Sequence, residues 1–288
     1  MNLFDQLVNK ALESNPSLAP LRVVVEKELL HHEILSIMSQ HDFLKNLTFI
    51  GGTCLRCCYG GVRLSEDLDF TGGRDFTRED LAEMGKTIRS SLHEKYGLSV
   101  AISEPVKDKK NVDTWKVKIE TRPGQKHMPA QRIHIDICAV DSYEKQPMML
   151  LNAYSVDMGT NGLIVQAESR EEIYTDKLLA FAGRPNRIKH RDLWDIAWLH
   201  QQSLKPRLEL IQAKLAERHE SFEHFMQCYD TRQASLTKDK TLAKDFKNEM
   251  HRFLSQQQID QVIAQDNLWD FIVYLIEDLG RQIRKAVL

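Results

Sequence analysis

Gly51-Gly52-Thr53-Cys54-Leu55-Arg56-Cys57-Cys58-Tyr59-Gly60-Gly61-Val62-Arg63-Leu64-Ser65-Glu66-Asp67-Leu68-Asp69-Phe70 is the stretch whose reading decides the fold. Just before it, Leu47-Thr48-Phe49-Ile50 is a short β-rich run that the paired glycines stop. Thr53 to Tyr59 reads as one or two helical turns closed by Gly60-Gly61, and Asp67 to Thr71 as a second strand closed by Gly72-Gly73. On a strand, residues two apart share a face, so Asp67 and Asp69 aim their carboxylates into one volume. Two ionised acids so close are unfavourable without a cation. A hard divalent ion suits them: Mg2+, with Mn2+ in its place as the alternative, because it takes oxygen ligands and keeps phosphate oxygens in its shell.

The glycines upstream complete that picture. Glycine tolerates positive φ and lets a ligand approach the backbone, and amides at a helix N-terminus bind phosphate. Gly51 and Gly52 are thus expected to cradle a triphosphate, with hydroxyls from Thr53 and Ser65 added. The cradle and the acid pair lie fifteen residues apart, from Gly52 to Asp67.

Working outward, residues 20–40 read as a helix with Val24, Leu29, Leu30, Ile34, Leu35 and Met38 at helical spacing. Thr77 to Tyr96 reads as another, with Thr77 as N-cap, Asp80 satisfying its first turn and Gly97 as its stop. Three strands follow, at Leu98–Ile102, Trp115–Glu120 and Arg132–Ala139, the second and third alternating apolar with polar. In the last, Ile133, Ile135 and Ile137 alternate with His134 and Asp136. That makes Asp136 the best third carboxylate, as metal ligand or as general base, since two metals clamp an in-line displacement at phosphorus. After residue 168 Gly and Pro become rare and helical periodicity runs on, near 170–182, 190–201, 206–229, 238–254 and 258–286. Thr231–Lys240 is the best candidate for a linker. The fold class expected is α+β: a mixed sheet with flanking helices, then a helical C-terminal half.

The quoted stretch closely resembles the first motif of the AbiEii/AbiGii toxin family of nucleotidyltransferases, within the DNA polymerase β-like superfamily. The glycines, Arg56, Arg63, Ser65, Asp67, Asp69 and Phe70 all fall in place. Cys54, Cys57 and Cys58 stand where the family carries small or aliphatic residues. A second block, Glu172-Ile173-Tyr174-Thr175-Asp176-Lys177 through Arg184, then Arg191-Asp192-Leu193-Trp194-Asp195, is similar to the family's later motifs.

With the change after residue 168, the domains expected are a nucleotidyltransferase core with N-terminal helices over 1–167 and a helical domain over 168–288, to which the resemblance gives Lys177 and Asp192 as its contribution to the site. The resemblance implies that Lys177 and Arg63 contact the triphosphate and that Asp192 orients Lys177 or the acceptor. It further implies the toxin of a bacterial toxin–antitoxin pair, with a cognate antitoxin as partner and a tRNA 3′ end as acceptor. Two alternatives stay open: transfer to a protein or a small molecule, and a non-catalytic nucleotide-binding interaction module.

The bulk numbers exclude little else. In 288 residues the net charge is −2, so nothing global points to nucleic acid or membrane. No apolar run approaches the ~18 residues that span a bilayer. The N-terminus lacks a secretory signal, and the five cysteines are odd in number and crowded, so the reading is a reduced, cytoplasmic protein. Cys54 and Cys57 have zinc-like spacing, but no second pair exists. Two basic runs could touch a polyanion: Arg184, Arg187, Lys189, His190 and Arg191, and the group Lys107, Lys109 and Lys110. His31 and His32 are assigned no role.

Overall fold

In the computed structural model, residues 2–105, 111–122, 129–185 and 187–287 are described. The group Lys107, Lys109 and Lys110 lies outside them. The chain forms two compact units, Met1–Glu168 and Ser169–Leu288.

The first unit is built on seven strands: β1 (Thr48–Ile50), β2 (Leu68–Thr71), β3 (Ser99–Ser103), β4 (Val112–Glu120), β5 (Gln131–Cys138), β6 (Lys145–Met149) and β7 (Ile164–Glu168). Their order is β3-β4-β5-β2-β1-β7-β6. β2 lies at the centre, antiparallel to β1 and parallel to β5, and β1 runs parallel to β7. The sheet is therefore mixed, and with the helical second unit the class is α+β. The alternation read in β4 and β5 sorts their faces: Trp115, Val117, Ile119, Ile133, Ile135 and Ile137 are buried. Phe49 and Phe70, opposite each other on β1 and β2, stack at 5.0 Å, worth about 0.5–1.5 kcal/mol beyond their burial.

Helices α1 (Leu3–Ser14), α2 (Arg22–Gln40), α3 (Gly51–Tyr59) and α4 (Met84–Tyr96) accompany the sheet, and α2 packs on β5 and α4 on β3. The helix expected over 77–96 breaks in two. Thr77 and Asp80 form a capping box over a 3-10 turn, and α4 starts afresh at Met84 before Gly97 ends it at φ +66°. Helix α1 and strands β6 and β7 were not anticipated. β6 and β7 are only five residues each and their apolar residues do not alternate cleanly with polar ones, so their periodicity is weak.

In the second unit every element among the described residues is helical: α5 (Arg170–Gly183), α6 (His190–Gln201), α7 (Ile211–Glu217), α8 (Phe222–Lys238), α9 (Thr241–Met250), α10 (Gln256–Gln258) and α11 (Leu268–Val287). The linker expected at Thr231–Lys240 is wrong. Most of it is the last two turns of α8, whose Leu236 is buried and whose Trp269 contact runs to the Leu236 carbonyl. Its polar composition is the solvated side of a helix. The single helix expected over 206–229 splits at His219, whose φ of +55° ends α7, and Ser221 caps α8 anew. The expected 258–286 helix is interrupted after a π turn at Ile259–Ile263.

Candidate active site

β2 and β5 decide the site. Their parallel register sets Asp69 directly against Asp136, and Asp67 precedes Asp69 by two residues. All three carboxylates therefore rise from one face of adjoining strands, whose other face is the buried Leu68, Phe70 and isoleucines. Each is half-buried. Asp67 Oδ1 accepts from the His134 amide at 3.0 Å and lies 3.6 Å from its ring, while Asp136 Oδ1 accepts from Thr114 Oγ1 at 2.6 Å.

A hard divalent cation fits the chemistry of these donors. In the described rotamers the Asp67 and Asp136 carboxylates are turned to those neighbours, and no three His, Cys, Asp or Glu side chains among the described residues already converge as a ligand set. The backbone positions of Asp69 and Asp136 are adjacent across the two strands.

Helix α3 starts beside this face. Gly51 has φ +76°, and a Cβ there would stand 2.9 Å from Asp69 Oδ2. The acid thus lies against the first residue of a helix, where unpaired amides collect. Gly51→Ala has two costs: left-handed backbone worth about 1–2 kcal/mol, and displacement of Asp69. We expect transfer to fall by about a hundredfold, the scale of a small misplacement at a reacting centre. Initial rates with labelled triphosphate check this, and a rate near wild type contradicts it.

Thr53 and Ser65, expected to hold phosphate, lie behind the Asp67 peptide in this structure. Both are buried, and their hydroxyls lie 2.6 Å apart. Thr53 Oγ1 donates to the Asp67 carbonyl, so its single hydrogen is committed and it accepts from Ser65. The pair braces the Asp67 peptide. Arg63, expected on the triphosphate, is also buried and donates to the Leu64 carbonyl at 2.9 Å. Gly52 remains in the first turn of α3.

Sequence reading missed what holds this loop from behind. Helix α2 buries Glu28, His31, His32 and Glu33. Glu28 accepts from the Ser65 amide at 2.8 Å, from Arg56 Nε at 3.1 Å and from the Tyr154 hydroxyl at 2.5 Å. His31 Nε2 lies 3.0 Å from the Glu66 carbonyl, and burial pushes this imidazole down. Lys27 reaches the Glu66 carboxylate at 3.0 Å. Three successive contacts thus fix residues 65 and 66, immediately before Asp67. One signal was present: apolar residues on several sides of α2 leave no broad polar face for its acids. Glu28→Gln keeps the shape but removes the charge opposite Arg56. We expect about 2 kcal/mol of stability to be lost, read as a lower urea midpoint, together with slower transfer.

In the second unit, Lys177 on α5 and Asp192 and Asp195 on α6 are all buried. The Lys177 amine lies 2.9 Å from Asp192 and 2.8 Å from Asp195, and Arg184 reaches Asp192 at 2.7 Å. Burial alone raises the Asp192 carboxyl, but Lys177, then Arg184 and Lys189, outweigh it and hold it well below the usual carboxylate range. Burial, with neighbouring cations, lowers Lys189 to about 8. A second buried lysine, Lys214, sits 2.6 Å from Glu172 and 2.9 Å from Asp176 and ties α7 to α5. The basic run at 184–191 is largely absorbed by structure. Arg184 serves Asp192, Arg191 lies 3.3 Å from Glu249 and over the Phe253 ring, and His190 packs edge-on to Phe246. Cys54, Cys57 and Cys58 are buried thiols in α3, raised by burial where a shift is seen.

No helix among the described residues is long and apolar enough to cross a membrane. Among solved structures, MenT4, a nucleotidyltransferase toxin from Mycobacterium tuberculosis H37Rv, is similar at 14% identity and a TM-score of 0.54, over 98% of this chain and 97% of that one. At that identity the likeness speaks for the fold. JHP933 from Helicobacter pylori is similar at 20% identity and a TM-score of 0.48, over 91% of this chain and 92% of that one. No curated protein matches the chain in a sequence search. The family model described as "Nucleotidyl transferase AbiEii toxin, Type IV TA system" matches residues 33–272, well over half of the chain. The chain carrying this sheet, its facing acids and its buried lysine belongs to the AbiEii nucleotidyl transferase toxin family of type IV toxin–antitoxin systems.

Proposed function

We propose that this nucleotidyltransferase moves a nucleoside monophosphate from a nucleoside triphosphate to the 3′ end of an RNA, with tRNA as the acceptor and a cognate antitoxin as its partner in the cell. The observation that carries the reaction is the register of Asp69 against Asp136, with Asp67 two residues away and the start of α3 alongside. The choice of tRNA is supported by the family resemblance.

Asp67, Asp69 and Asp136 are the residues that would hold Mg2+ or Mn2+, and such a pair of ions, when bound, offsets charge on the attacking and leaving oxygens. The acceptor's terminal hydroxyl oxygen bonds to the α-phosphorus as the bond to pyrophosphate breaks. Its proton passes to Asp136, at the carboxylate oxygen opposite the one engaged by Thr114. Gly51 and Gly52 offer backbone amides to the phosphates at the α3 N-terminus. Lys177 is assigned to neutralising phosphate charge, with Asp192 and Asp195 keeping its amine protonated and oriented. Thr53 and Ser65 act one step back, on the Asp67 peptide.

The test is incubation with labelled nucleoside triphosphates, Mg2+ and total tRNA. Label on RNA that disappears with Asp67→Ala supports the reading. Equal labelling by that variant overturns the site. Label that resists ribonuclease but not protease overturns the RNA acceptor in favour of a protein one.

A further inference from the structure

The polar face of β4 and β5 continues past the acids as a stripe of positive charge. Lys116 and Lys118 on β4 and Arg132 and His134 on β5 are all exposed. The antiparallel register sets Lys116 opposite His134 and Lys118 opposite Arg132. Across the other edge of β4, Ser103 faces Lys116 and Ala101 faces Lys118, so β3 brings no acid to either. At the far end Glu120 lies 3.9 Å from Lys118. At the near end stand Asp136, two residues along β5 from His134, and Asp67, in contact with His134.

Like charges directly opposite each other on neighbouring strands are destabilising. The register sets Lys118 against Arg132 in this way, with Lys116 two residues along β4, on a face whose next residues belong to the candidate site. Stability gives no reason for it, whereas a polyanion lying on the face relieves the repulsion. The spacing suits a chain of phosphates: about 6.7 Å between alternate residues on a strand and about 4.8 Å between strands. A nucleic acid carries fixed charge at every nucleotide.

We propose that the Lys116–Lys118–Arg132 face is the track on which the phosphate backbone of the acceptor RNA lies, leading its terminal hydroxyl towards Asp136. This rests on the RNA-acceptor reading above and adds to it the surface that engages the strand. Single-stranded RNA fits better than a duplex, because the stripe is two strands wide and ends at the acids.

The test uses the full chain and a fluorescein-labelled single-stranded RNA of mixed sequence, with binding followed by anisotropy from low to physiological salt. The combined Lys116→Gln, Lys118→Gln, Arg132→Gln variant should bind more weakly. Its slope of log affinity against log salt should be shallower by about 2, roughly 0.7 for each contact removed. Its thermal midpoint should be equal to or above wild type, because facing like charges are gone. Should the triple variant fail to fold, Lys118→Gln alone should lower the slope by about 0.7. An unchanged slope overturns the track. If wild type labels tRNA while the variant's slope is unchanged, the track fails and the RNA reading stands. If wild type neither binds nor labels RNA, both fail together.

Discussion

Asp69→Asn should lower nucleotidyl transfer by roughly a thousandfold without lowering the stability of the fold. The side chain keeps its size, and its strand partner Asp136 and the adjacent Gly51 keep their places. What is lost is one of three anionic donors on a shared face. A metal-supported charge stabilisation of about 4 kcal/mol corresponds to about three decades in rate. Crowded carboxylates repel each other, and removing a strained functional charge commonly leaves stability equal or higher. Initial rates with labelled triphosphate and a urea midpoint, measured on the same preparation, decide the matter. A variant that unfolds early, or transfers at the wild-type rate, contradicts the assignment.

Asp192→Ala should differ by also costing about 3 kcal/mol of stability. Asp192 is buried between Lys177 and Arg184, and removing one member of a buried ion network leaves the others desolvated. Lys177 keeps Asp195, which holds the expected loss near the lower end of the range for broken buried pairs. The same network carries a pH signature. The Asp192 carboxyl is held below its ordinary value of 3.8 in the fold. Its contribution is therefore complete above that value and is lost as pH falls below it, where the unfolded chain binds the proton first. Urea midpoints taken from neutral pH downward should fall in wild type, and fall less steeply in Asp192→Asn. Parallel acid limbs in the two proteins contradict the role given to the ion pair.

The two substitutions differ in how much of the architecture they touch, and their residues were unevenly legible in the sequence. Asp67 and Asp69 were legible because strand periodicity and flanking glycines are local properties. Asp136 was legible as the odd acid on a strand of isoleucines, yet nothing local said which residue it would face. Lys177 and Asp192 read on periodicity alone as surface charges, because a helix pattern cannot distinguish a solvated charge from one neutralised by a partner fifteen residues away. Glu28 and His31 were invisible for the same reason: their partners lie at Ser65, Arg56, Tyr154 and Glu66. Thr53 and Ser65 were read as phosphate contacts because hydroxyls beside a glycine turn suit both that role and bracing a peptide.

The sequence by itself determined the strands and helices around the glycine turn, the side of β2 that carries Asp67 and Asp69, and the change to helices after residue 168. Each of these depends on neighbours within a few positions, where backbone geometry repeats. Only the tertiary structure decided that β5 lies parallel to β2 with Asp136 against Asp69. The same holds for the clamp of α2 on the loop before Asp67 and for the burial of the Lys177 cluster. Those outcomes depend on contacts between residues far apart in the chain, which are set by packing and register and leave no local period to read.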